Sequence, residues 1–176
     1  MSDPVRQLID EHEIFMTALD SLAETLQSIP EGASAIPEES LPVVMHAWEA
    51  INEHLNVHFV KEEEIFFPYI ERLFKGGRVK FQFLHVDHDK LREDFERFTV
   101  LLQNHRAIGA TTAGIQELRR LAARMIELFY YHIVAEDTIY LDVAGLELTP
   151  QESAEVLDRM RRIESRLRED LEPPPL

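Results

Sequence analysis

Along this chain apolar residues recur at alternating steps of three and four, the spacing of a helix that buries one stripe. Four segments carry the pattern. The first reads Val5, Leu8, His12, Phe15, Leu19, Leu22, Leu26, with Asp3 placed to cap its amino end and Pro4 at its first turn. The second opens near Pro42 and reads Val44, Trp48, Ile51, Leu55, His58, Glu62, Ile65, Tyr69, Leu73. Pro68 lacks an amide proton and crowds the carbonyl of Glu64, so it should kink or end this helix, and Gly76-Gly77 then turns the chain. The third reads Phe81, Leu84, His88, Leu91, Phe95, Phe98, Leu102, ahead of a loop around Gly109. The fourth reads Ile115, Leu118, Ala122, Met125, Phe129, His132, Glu136, Ile139, Val143.

A fifth helix is signalled by Thr149-Pro150-Gln151-Glu152, a capping box with proline in the first turn, and runs to about Asp170 before a Pro-rich tail. Its apolar run, Val156, Met160, Ile163 and Leu167, predicts docking onto the bundle or onto a second subunit in a homodimer. Strand patterns are absent. Short connections let neighbouring helices run antiparallel. The expected fold is therefore all-α: an up-down-up-down four-helix bundle over residues 1–147, with an extra C-terminal helix and tail over residues 148–176.

Composition narrows the chemistry. The chain has 176 residues, enough for one domain with a real core, and no cysteine. That excludes disulfides, thiolate zinc, iron–sulfur ligation and a thiol nucleophile. Its 33 acidic against 18 basic side chains give a formal charge of −15, which repels nucleic acid and anionic lipid. No apolar run approaches the roughly 20 residues of a spanning helix. The amino terminus lacks the basic-then-apolar order of a signal peptide, so the cytoplasm is the expected compartment.

The stripes themselves contain polar residues where apolar ones belong. His12, His58, Glu62, His88, His132 and Glu136 all fall in register with buried positions. The second and fourth segments each place a glutamate four residues after a histidine, in HFVKEEEIFFPYI and HIVAEDTIYLDVA, so both side chains share a helix face. The first and third each offer a histidine flanked by acids, in DEHE and VDHD. His12 and His58 lie 46 positions apart, His88 and His132 44, as if one helix pair were written twice. Buried carboxylates without partners cost several kcal/mol each, a cost that a metal ion offsets. Imidazole with carboxylate and no thiolate suits iron, manganese or zinc. Six ligands exceed the four of one structural zinc and suit two ions bridged by carboxylate.

The ordered set of a lone histidine, then HFxxEE followed by FP, then DH, then HxxxE resembles the hemerythrin-like proteins, the HHE cation-binding domain, over roughly residues 5 to 145. The resemblance implies a non-heme di-iron centre. His12, His58, His88 and His132 would be terminal ligands, Glu62 and Glu136 bridging carboxylates, with dioxygen or nitric oxide at an open iron position. Oxygen carriers of the family have two histidines four apart on the third helix, whereas His85 and His88 are three apart. Those carriers also use an aspartate five residues after the last histidine. Asp137 has that spacing, but regular pitch points it about 140° from His132, which favours Glu136. These departures favour the redox-sensing or iron-handling relatives over pure oxygen storage. His54 reads as an outer-contact or surface residue and His85 similarly, His46 and His105 as solvent-facing, and Glu63 and Glu64 as a solvated face able to lean toward the metals.

Ferritin-like di-iron proteins order the motif Glu-x-x-His, the reverse of this chain. GxSxG, phosphate-cradling glycine loops and HExxH are absent. The expected function is a ligand-binding or sensory metalloprotein rather than an enzyme. The alternatives are an iron-handling redox protein, similar to those that repair iron–sulfur centres, and a metal-stapled interaction module.

Overall fold

The computed structural model describes residues 3–73, 82–109, 111–138 and 148–171. Every described element is helical: α1 (Pro4–Ser28), α2 (Leu41–Lys61), a π-helical turn (Glu62–Phe66), α3 (Phe67–Leu73), α4 (Gln82–Ile108), α5 (Thr112–Glu136) and α6 (Pro150–Leu171). The expected turn at Gly76-Gly77, the start at Phe81 and the stripe positions Ile139 and Val143 lie outside the described residues.

Local signals account for the ends. Asp3 caps α1, its carboxylate accepting from Val5 N at 3.0 Å. Thr111 caps α5 by accepting from Gly114 N at 3.1 Å. At α6 the capping box forms both ways: Thr149 N donates to Glu152 Oε2 at 2.9 Å, and Glu152 N to Thr149 Oγ1 at 3.3 Å. Gly109, at φ 86°, ends α4 in the left-handed conformation that glycine adopts without strain.

The second segment differs from its expected form. Pro68 neither ends nor sharply breaks it; the ladder widens upstream, where Phe67 N donates to Glu62 O. Pro68 cannot donate to Glu64, and a π turn is a low-cost way to carry a helix past that missing bond. Glu62 N still donates to His58 O, so that pair keeps its regular one-turn spacing, and the extra residue displaces the positions that follow.

The helices form an antiparallel bundle in which α1 lies along α2 and α5, and α4 along α5, while α6 crosses against α2, the π turn and α1. Their stripes build two apolar clusters. One gathers Phe15, Leu22, Leu55, Phe59, Leu91, Phe98, Leu118 and Phe129. The other joins Val5, Leu8, Ile65, Phe66, Ile70 and Leu84 to Val156, Met160 and Ile163 of α6. His12 falls between Leu8 and Phe15, and His88 between Leu84 and Leu91, so the histidines occupy the seam between the clusters. A polar layer sits there because each of the four stripes places a histidine at the same depth, and the second and fourth add a glutamate one turn further on.

Candidate metal centre

All six residues singled out in the stripes are buried and converge. His12 and Glu62 are 2% exposed, His58 and His88 0%. Within the α1/α2 half, His12 Nε2 lies 3.1 Å from His58 Nε2. Within the α4/α5 half, His88 Nε2 lies 3.0 Å from His132 Nε2. Glu62 spans both halves: Oε1 is 3.1 Å from His58 Nε2, and Oε2 is 3.3 Å from His88 Nε2. Glu136 does the same with one oxygen, Oε2 lying 3.2 Å from His12 Nε2 and 3.3 Å from His132 Nε2. Two four-residue groups result, His12–His58–Glu62–Glu136 and Glu62–His88–His132–Glu136, each with its donor atoms within 4.8 Å of one another.

The other ring nitrogens explain why the Nε2 atoms face inward. His58 Nδ1 is 2.8 Å from Glu11 Oε2, His88 Nδ1 2.7 Å from Glu63 Oε1, and His12 Nδ1 3.3 Å from Asp137 Oδ1. A carboxylate at Nδ1 fixes the tautomer that leaves Nε2 a lone pair. Two such lone pairs about 3 Å apart repel unless a proton or a cation stands between them. Glu62 Oε2 and both Glu136 oxygens are buried and accept no well-formed hydrogen bond. Buried acceptors are ordinarily satisfied, so this donor set fits a pair of cations.

The electrostatics carry the same message. Burial opposes charge on His12, but Asp137, Glu136 and Glu62 outweigh it and hold the ring well above its ordinary pKa. His58 behaves likewise: burial lowers it, and the charges and hydrogen bonds of Glu62 and Glu11 more than reverse that. His88, against the same burial, is raised to about 9 by Glu62 and Glu63. His132 is lowered to about 3, by burial above all and then by its positive neighbours, which Glu62 only partly offsets. Burial and the Glu62 charge lift Glu136 to about 7. Glu62 is held well below its ordinary value because its histidine neighbours overcome its burial.

Outside this buried His/Glu layer lies a network that the stripes do not display. Lys61 is 1% exposed, and its ammonium bonds Glu11 Oε1 and, at 2.9 Å, Glu164 Oε1 of α6. Burial would raise the Glu11 carboxyl, but His58 and Lys61 hold it at about 2. Arg92 holds Glu63 with two bonds, from NH1 to Oε1 at 3.0 Å and NH2 to Oε2 at 3.1 Å. Phe59 stacks on His88 with centroids 3.9 Å apart, and Phe15 and Phe129 close the layer from the same side.

The remaining expectations sort cleanly. Glu136 rather than Asp137 faces the cluster; Asp137 serves from outside, on His12. Glu63 leans inward onto His88, as the π turn allows, while Glu64 is exposed and pairs with Arg166 at 3.3 Å. His54 lies apart beside Glu53, and His46 is exposed. His85 is 3.9 Å from Glu63, near His88 but outside both four-residue groups. His105 departs from its solvent-facing expectation: it is partly buried, and burial lowers its pKa. Glu11, Lys61 and Arg92 went unrecognised. DEHE did place an acid beside His12, but the acid serves His58 on the next helix.

The family model for the hemerythrin HHE cation-binding domain matches residues 3–144. The chain belongs to the hemerythrin HHE family. The match takes in all four bundle helices and all six clustered residues, and stops before α6. No curated protein matches the chain. None of the described helices is long and apolar enough to cross a membrane.

Proposed function

We propose that this hemerythrin HHE protein holds two iron ions and uses them to bind or sense dioxygen or nitric oxide. The single observation behind the reading is that Glu62 and Glu136 belong to both four-residue groups at once. His12 and His58 would bind one ion, His88 and His132 the other, with the two glutamates between them. Zinc or manganese would fit the same donors.

Each residue then has a task that its surroundings support. Glu11, Asp137 and Glu63 take the Nδ1 protons and aim Nε2 inward. The apolar wall of Phe15, Phe59 and Phe129 keeps bulk water from one side of the layer. When bound, paired iron supplies reversible electron transfer and an open position for a diatomic ligand. With every donor residue nearly inaccessible to solvent, retention of metal is favoured over donation to another protein. Absence of thiols removes the usual partners for passing iron on to an iron–sulfur centre.

Titrating the reduced, iron-loaded chain with dioxygen and separately with nitric oxide tests this reading. A saturable change in the visible spectrum with either gas is expected. A spectrum indifferent to both, in protein carrying two irons, would leave metal binding intact and remove the gas function.

A further inference from the structure

The helix beyond the family match reaches the network just outside the buried His/Glu layer. Helix α6 docks through Val156, Met160 and Ile163, and beside that apolar seam Glu164 extends to the buried Lys61 ammonium at 2.9 Å. Gln7 Nε2 ties the same carboxylate to α1, donating to Glu164 Oε1 at 2.7 Å and to Glu11 Oε1 at 3.2 Å. Glu11 in turn holds His58 Nδ1 at 2.8 Å through its second oxygen. One continuous chain of contacts thus runs Glu164–Lys61–Glu11–His58.

We propose that Glu164 is a positioning residue for the metal centre: by sharing the Lys61 ammonium, it sets how strongly Glu11 holds His58. The proposal rests on His58 being a metal ligand. Its physical basis is competition. A buried ammonium needs acceptors, and here two carboxylates divide it. With Glu164 present, Glu11 keeps enough negative charge to accept a strong bond from His58 Nδ1. Without it, Lys61 draws on Glu11 alone, and the bond to His58 weakens. A weaker outer bond makes the imidazole a poorer donor to its ion, since contacts of this kind tune ligand basicity. Among the described residues the α4/α5 half has no counterpart, because Glu63 is held by Arg92 of the bundle itself.

The test uses the full chain loaded with zinc, which needs neither iron nor gas chemistry. The histidine ring N–H protons are followed by nuclear magnetic resonance in wild type, Glu164→Gln, Glu164→Ala and Met160→Ala. Met160→Ala trims the apolar seam beneath α6 and changes no residue of the polar chain. Both Glu164 variants should move the His58 Nδ1 proton upfield and leave that of His88 in place, whereas Met160→Ala should lower the melting temperature without moving either. An unmoved His58 signal in both Glu164 variants, or an equal movement in Met160→Ala, overturns the proposal. Failure of the wild-type chain to take up zinc would instead overturn the metal reading on which it rests.

Discussion

The two halves of the buried His/Glu cluster carry the same residue types and differ in what stands behind them. In the α1/α2 half, both outer ring nitrogens have carboxylate partners, and Glu11 is itself paired with a buried lysine that it shares with Glu164 of α6. In the α4/α5 half, Glu63 supports His88 from a site where Arg92 remains 30% exposed, while His132 Nδ1 has no partner among the described residues. The difference lies in the surroundings: among the described residues, one imidazole pair is braced at both outer nitrogens, the other at one.

The largest effect should come from removing what the halves share. Glu62→Ala or Glu136→Ala should lose at least one metal ion per chain, read by elemental mass spectrometry, because each takes a donor from both groups. Full occupancy in either variant would refute the bridging role. Next come the outer carboxylates. Glu11→Ala and Glu63→Ala should each weaken the ion on their own side by about 10–100-fold, the usual scale for such contacts. Glu11→Ala should also destabilise the fold more, because it leaves Lys61 buried with one acceptor fewer, whereas Arg92 can turn to water. Equal loss of stability in the two variants would contradict the difference drawn between the halves.

A smaller, graded effect is expected with pH. His88 has a folded pKa raised to about 9 from 6.5, so its proton stabilises the metal-free fold fully below 6.5, and that contribution is lost as pH climbs through 9. Metal must displace the same proton, so affinity should rise over the window in which metal-free stability falls. His132, lowered to about 3, is already neutral there, whereas His12 and His58 are both raised. Zinc binding to the α1/α2 half should therefore release more protons, measurable by calorimetry in buffers of different ionisation enthalpy. Equal proton release from Glu11→Ala and Glu63→Ala chains, each retaining mainly the opposite ion, would remove this asymmetry. The smallest effect is expected at His54, outside both groups: His54→Ala should leave metal content unchanged, and a substantial loss would bring it into the ligand set.

Much of this was legible in the chain. The four stripes, the Asp3 cap and the Thr149–Glu152 box are local signals, and over the described residues each formed as its residues dictate. The six inward residues were legible because a histidine or glutamate in an apolar register has few other reasons to be there. What escaped depends on neighbours distant in sequence. Lys61 precedes the Glu62-Glu63-Glu64 run and reads as a solvated charge; only the arrival of α6 across it, 103 residues later at Glu164, makes it buried. Asp137 points away from its own histidine at regular pitch, and its partner His12 comes from another helix 125 positions earlier. The π turn was visible only as a defect at Pro68, since propensity alone does not say whether a helix ends, kinks or widens its ladder.

The central claim is that two glutamates join two imidazole pairs into one two-metal centre. Metal content per chain, measured by mass spectrometry on protein prepared in iron-replete medium without chelator, together with its visible spectrum in air, tests it most directly. Two irons per chain with the absorption bands of an oxo-bridged pair are the predicted result. One ion per chain, or none, at saturating metal would contradict it.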